Sequence, residues 1–196
     1  MPRNHRLQMI GMSTPSDAVS TYILAKDGNR PFLMRPVFAE DAELETVVKT
    51  DAISFPSSAK GVSAIEDILV RRFGLDYENI YTFCLSQPSE ANRRHFPCHW
   101  LVGMSARNDG RVRIGCGRYD WYFAPDKECR VERLVIAIDV MKILPAADLA
   151  ASMKWLSSLP YPWCAPAEAI RDVPAIEELA EIKTYLKEVC PVSQER

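Results

Sequence analysis

The middle of the chain constrains the fold most. Four long runs, 79–87, 96–106, 111–124 and 130–144, are rich in β-branched and aromatic residues and read as strands. Asn108-Asp109-Gly110 joins the second run to the third, and Pro125-Asp126-Lys127 joins the third to the fourth. Both links carry hairpin turn chemistry, so the runs form an antiparallel meander. Inside the third run lies Gly115–Phe123, "GCGRYDWYF", which opens like a phosphate-cradling glycine loop. A dinucleotide fingerprint needs GxGxxG between a strand and a helix. Here the sixth position is Asp120, and Trp121-Tyr122-Phe123 behind it favour strand. The two glycines therefore sit within a long strand, where they weaken pairing but permit the bend that lets a sheet curl.

Helical patterns flank the meander. Thr14-Pro15-Ser16-Asp17 reads as a helix start, and Ala18, Tyr22 and Ala25, with Val19 and Ile23 beside them, share one face. Lys26-Asp27-Gly28-Asn29 reads as the end of that helix. "ELETVVKT" from Glu43 reads as a first strand. Ser63 and Glu66 have capping-box spacing and open a second helix that runs to Arg72 or Phe73. After Pro145 come two more helical stretches around a proline-rich link, "PYPWCAPAEAIRDVP". The last places Ile176, Leu179, Ile182 and Leu186 on one stripe, which must pack on the domain or on a partner chain. Helices followed by a meander predict an α+β fold. The expected organisation is a flexible tail over 1–13, one domain over 14–145, and a helical extension over 146–196.

Charge and cysteine usage narrow the function. Twenty-four basic residues stand against 26 acidic ones, scattered, for a net charge of −2, so nucleic acid is not an expected partner. Six cysteines contain no CxxC pair, which argues against a zinc site and for reduced thiols. No run reaches the ~18 apolar residues of a membrane span. The N-terminus lacks a signal-peptide core. A cytoplasmic location, no membrane partner and no cofactor are the expectations. His95 and His99 are four apart, a separation of roughly 13 Å on a strand and too far for one metal ion.

The order of elements resembles the cone-shaped nuclear-transport-factor-2-like superfamily, which includes ketosteroid isomerases, scytalone dehydratases and SnoaL-type polyketide cyclases. "PVFAEDAELETV" resembles that family's entry to its first strand, and "KGVSAIEDILVRRF" its Gly-x-x-Ala-Ile helix. "GRYDWYF" and "VERLVIAI" resemble its last two strands. The resemblance spans about residues 14 to 145. It implies a curved sheet and N-terminal helices around an apolar pocket for a hydrophobic small molecule, and a homodimer through the outer face of the sheet. It identifies a fold better than an activity.

Counting back from Phe38, the resemblance puts Tyr22 where ketosteroid isomerases keep an oxyanion-binding tyrosine, and Thr46 where they keep a general-base aspartate. Threonine cannot accept a proton near neutral pH. Tyr119 falls at their oxyanion aspartic acid, and Asp139 resembles the acid/base aspartate of the cyclases. The residues themselves leave alternatives. Asp139 interrupts "LVIAIDVM" and is either a raised-pKa base or an aspartate paired with Arg133 or Lys142. His99 is either an acid/base group reaching the pocket or a histidine satisfied in the core. Strand alternation, in the family's register, sends Tyr119, Trp121 and Phe123 into the cone, with Arg118 and Asp120 outward. Phe38, Phe55 and Trp100 complete the expected ligand-binding set. The candidate functions are a non-catalytic small-molecule-binding domain, or an isomerase, cyclase or dehydratase for a carbonyl-bearing substrate.

Overall fold

Local chemistry starts the first helix. The Thr14 hydroxyl accepts a hydrogen bond from the Asp17 amide at 3.1 Å, and Pro15 opens α1 (Pro15–Asp27). The computed structural model describes residues 14–89, 94–125 and 127–190, so the expected tail and Asp126 of the second hairpin link lie outside the described residues. Ala18, Val19, Tyr22 and Ile23 are fully buried, which confirms the apolar face. A short turn, α2 (Met34–Val37), leads into β1 (Phe38–Val48), five residues ahead of the expected start at Glu43.

The second helix begins one residue before the expected capping box. Gly61 takes the N-cap position at φ 87°, a left-handed value that a side chain would strain, and Ser63 makes no cap bond there. Glu66 instead accepts two hydrogen bonds from Arg71, at 2.9 and 2.7 Å. The helix runs as α3 (Val62–Glu66), widens to π pitch over Asp67–Arg72, and finishes as α4 (Phe73–Asp76). Segments at π pitch recur at functional sites because they displace side chains from the regular helical register.

The remaining strands are β2 (Ser58–Lys60), β3 (Tyr77–Cys84), β4 (His95–Ala106), β5 (Val112–Phe123) and β6 (Val131–Leu144). They form one curved, unclosed sheet in the order β2-β1-β6-β5-β4-β3. The meander β3 to β6 is antiparallel, as expected, whereas β1 joins β6 in parallel. The chain between β1 and β6 holds β2, the α3–α4 helix and the strands β3 to β5, so this pair is free of hairpin geometry.

The register slips between Cys116 and Gly117, so Asp139 of β6 is an extra residue opposite the "GCG" turn of β5. That bulge sharpens the bend. Neither glycine has a left-handed φ; what they supply is clearance. A Cβ on Gly117 would lie 2.0 Å from the Ala137 carbonyl oxygen and 2.5 Å from the Trp100 ring.

The sheet carries a core on each side. Its concave face packs against α1 to α4, with Phe38, Trp121, Tyr22 and Phe123 buried. Its outer face receives the residues after Pro145. There α5 (Leu149–Ser157), α6 (Pro166–Arg171) and α7 (Ala180–Glu188) bury Trp155, Leu156, Ile182 and Leu186 against Leu101, Ile114, Cys116 and Leu144. The Trp155 indole ties α5 to α6 by donating to the Ala169 carbonyl at 3.0 Å. The stripe on the last helix thus packs on its own chain. A strip of the outer face beyond these helices carries Glu45, Val47, Arg118, Asp120, Tyr122 and Arg133.

Candidate functional site

The concave core is not completely filled. A cavity of ≈50 Å³ lies between α1 and the sheet, lined by Tyr22, Lys26, Thr46, Phe55, Trp100 and Tyr119 together with aliphatic and Met side chains. Beside it a surface recess of ≈200 Å³ is lined by Ser54, Ile68, Arg72 and Tyr77. Ile53, Phe55 and Phe73 border both spaces. The Phe55 and Phe73 rings stack there, with centroids 6.1 Å apart and planes at 22°. Phe55 comes from the loop between β1 and β2, and Phe73 from the helix directly after its π-pitch segment. An aromatic pair therefore separates the inner cavity from the open recess.

Four of the sequence-predicted residues, Tyr22, Tyr119, Trp100 and Phe55, line this cavity. Three others, Phe38, Trp121 and Phe123, are packed behind it as core, with the Trp121 ring 5.0 Å from Tyr22 and 6.5 Å from both Phe38 and Phe123. These three are fully buried core and do not reach the cavity wall.

Asp139 and His99 occupy the other side of the sheet. Ile138 and Trp100 face the cavity, so strand alternation turns Asp139 and His99 toward α7. The Asp139 carboxylate pairs with Lys49 at 2.7 Å and lies 3.3 Å from the Tyr185 hydroxyl, which also donates toward the Gly117 carbonyl at 2.9 Å. His99 Nδ1 meets the same hydroxyl at 2.8 Å. Arg133 and Lys142, the partners considered from the sequence, pair with Glu45 and Glu181 instead. Burial, and then the nearby Arg118, lower the His99 pKa from its ordinary value. Burial raises that of Tyr185, with Asp139 adding to the effect. This cluster fastens α7 to the sheet and has no access to the cavity.

The polar groups at the cavity are unusual in how few partners they have. The Tyr22 hydroxyl and the Trp100 indole N–H at the cavity, and the Trp121 indole N–H in the core behind it, are buried without a hydrogen-bond partner. Tyr119 approaches the Tyr22 hydroxyl without reaching hydrogen-bond geometry; the two rings meet edge to face at 6.1 Å. Burial drives both tyrosine pKa values up, so both remain protonated donors at any physiological pH. Each buried donor without a partner costs about 1–3 kcal/mol. The Thr46 hydroxyl is committed, donating to the Pro56 carbonyl.

Lys26 and Asp27 were not singled out from the sequence, where a Lys-Asp pair before glycine is the ordinary exposed helix end. Both side chains are buried, at 7% and 5% exposure, and they pair at 2.7 Å. Lys26 also donates to the Thr82 hydroxyl at 2.7 Å and lies 4.9 Å above the Phe73 ring. Asp27 accepts from the Thr82 amide at 2.7 Å, the Thr82 hydroxyl at 2.8 Å and the Tyr161 hydroxyl at 3.0 Å. One signal was available: Lys26 stands seven residues after Val19 and four after Tyr22, on the buried face continued by one more turn. Among the described residues, none of the cavity's lining side chains is a carboxylate or an imidazole.

Comparison with solved structures gives the class of fold. The chain is similar to a nuclear transport factor 2-like superfamily protein from Salmonella enterica (14% identity, 64% of this chain and 88% of that one, TM-score 0.50). It is similar also to a putative isomerase from Rhodopseudomonas palustris (12%, 64% and 87%, 0.51). A third is the hexachlorocyclohexane dehydrochlorinase LinA-type3 from Novosphingobium barchaimii (10%, 65% and 85%, 0.51). The protein has the nuclear-transport-factor-2-like cone fold. No protein-family model and no curated protein matches the sequence.

Proposed function

We propose that this protein is a small-molecule-binding cone domain whose ligand is mainly apolar and enters past Phe55. The observation that carries this reading is the cavity itself, walled by aliphatic and aromatic side chains around a few unpartnered donors. At ≈50 Å³ it is far below the roughly 300–1,000 Å³ of ligand sites, so a ligand larger than a few atoms draws on the adjoining recess of ≈200 Å³. Acid/base catalysis in the manner of an isomerase, cyclase or dehydratase lacks support at the cavity wall, which offers donors and no carboxylate or imidazole base. One structure of similar fold is named as a dehydrochlorinase of hexachlorocyclohexane, a small apolar compound, in keeping with this ligand class.

A homodimer through the uncovered strip of the outer face belongs to the same proposal, supported by Val47 at 40% exposure beside Val135 and Ala137. A cytoplasmic location is supported by the buried thiols of Cys84, Cys98, Cys116 and Cys164. No helix among the described residues is long and apolar enough to cross a membrane. Xenon enters dry apolar cavities, so a crystal held under xenon pressure tests the binding role. Density between Tyr22, Trp100 and Met141 is the expected result, and its absence there counters the proposal.

A further inference from the structure

We infer that Lys26 is the polar anchor of the cone, that the ligand end it takes is a neutral carbonyl oxygen, and that the C-terminal extension holds the anchor in place through Tyr161 and Asp27. This rests on the cone being the binding site.

The argument begins with donors. An ammonium group has three, and those of Lys26 go to Asp27 and Thr82, leaving one. Tyr22 lies one helical turn away on the same face of α1, and its hydroxyl donor has no partner. Trp100, on the facing sheet, adds an indole N–H, also without one. The site therefore offers several donors without partners, against which its lining side chains set only the oxygen lone pairs of the Tyr22, Tyr119 and Thr46 hydroxyls. The complementary ligand atom is an acceptor.

Charge decides which acceptor. Lys26 and Asp27 offset one another in a region where both are nearly excluded from water. Adding a carboxylate would leave one negative charge buried and uncompensated, which is strongly unfavourable. A ketone or aldehyde oxygen accepts the same hydrogen bonds without adding charge.

The extension supplies the third element. The Tyr161 hydroxyl donates to Asp27 Oδ2, and burial together with Asp27 keeps that phenol protonated. Its ring packs edge-on against Phe83 at 5.8 Å and Tyr81 at 6.1 Å. The neighbouring backbone locks this geometry: the Cys84 amide donates to the Pro162 carbonyl at 2.8 Å, and the Cys164 amide donates to the Cys84 carbonyl at 3.0 Å. Asp27 is thus oriented from outside the cone while Lys26 projects inside it. Tyr161 is a positioning residue that acts through Asp27. The solved structures of similar fold cover 64–65% of this chain, so much of it, including a comparable length to the extension, has no counterpart in them.

Calorimetric titration with three probes of one skeleton tests the inference: ethylbenzene, acetophenone and benzoate. A hydrogen bond from a charged donor is expected to make acetophenone bind about tenfold or more tighter than ethylbenzene. Benzoate is expected to bind no tighter than ethylbenzene. In the double variant Lys26→Met/Asp27→Asn, which removes both buried charges together, the acetophenone preference should fall severalfold, to what the Tyr22 and Trp100 donors supply. In Tyr161→Phe it should fall about threefold, as the loss of one positioning hydrogen bond implies, with ethylbenzene affinity unchanged. A purely structural role for Tyr161 would weaken both probes alike. If the double variant does not fold, Tyr161→Phe decides alone. An unaltered preference in the variants, or benzoate binding tighter than acetophenone, overturns the inference. Ethylbenzene binding with no acetophenone preference overturns it while leaving the proposed function standing. No binding by any probe overturns both.

Discussion

Replacing Gly117 by alanine tests the physical basis of the cone. The added Cβ would stand 2.0 Å from the Ala137 carbonyl oxygen, where ordinary contact begins at about 3.4 Å, and 2.5 Å from the Trp100 ring. The oxygen belongs to the paired strand β6, so it cannot rotate away, whatever room the cavity leaves the Trp100 ring. Relief requires β5 and β6 to separate next to the bulge. Forced overpacking of this kind costs about 1–3 kcal/mol and sometimes more. Alanine recovers only about 0.5–1 kcal/mol by restricting the unfolded chain. At the upper end of that range, set by an oxygen that cannot move aside, the net expectation is a destabilisation of about 2 kcal/mol, read as a fall of roughly 1 M in the urea midpoint. Gly103→Ala is the matched control. Its Cβ would meet the Leu156 Cδ1 at 2.0 Å and the Ile114 Cδ1 at 3.0 Å, both ends of side chains that can turn aside, so about 1 kcal/mol is expected. If Gly117→Ala unfolds within 0.5 kcal/mol of the parent, or no lower than Gly103→Ala, close strand approach is not what the glycine provides.

Other expectations follow from the same structure. The folded-state pKa of His99 lies below its ordinary value of 6.5 because of burial and then Arg118. The unfolded chain therefore takes up that proton first on acidification, and the stability tied to neutral His99 is present above pH 6.5 and lost as pH falls below it. The drop in urea midpoint between pH 7.5 and 5.5 should be smaller in His99→Gln than in the parent; equal drops refute the assignment. Phe55→Ala removes one ring of the stack between cavity and recess, so ethylbenzene association should accelerate about tenfold or more in stopped-flow fluorescence, and an unchanged rate refutes the gate. Truncation after Pro145 bares Leu101, Val112, Ile114 and Leu144. At about 1.5–3 kcal/mol each, this matches most of a domain's stability. The shortened chain should lose its cooperative thermal transition by circular dichroism, and a sharp transition near the parental temperature contradicts that.

The strands were legible because long β-rich runs and turn dipeptides act locally. The family's register and strand alternation send Tyr119 to the cone side, and Tyr119 lies on the cavity wall. Asp139 and His99 failed as cavity residues for a related reason. His99 adjoins Trp100 on β4, so alternation alone turns it away from the cavity; the bulge opposite Gly117 puts Asp139 into β6 as an extra residue, and α7, from far along the sequence, supplies Tyr185 as their partner. No local pattern announces a partner 46 or 86 residues away. Lys26 was hidden by its type, since lysine beside aspartate at a helix end is nearly always solvated. Only the sheet residue Thr82 and the distant Tyr161 make its burial tolerable.

The indole N–H spectrum under ethylbenzene titration bears most directly on the central claim. Trp100 lines the cavity, whereas Trp155 is buried in the outer layer with its N–H bonded to Ala169. A saturable shift of the Trp100 resonance with Trp155 unmoved is predicted. Movement of Trp155 with a silent Trp100 would place binding outside the cone and contradict the account.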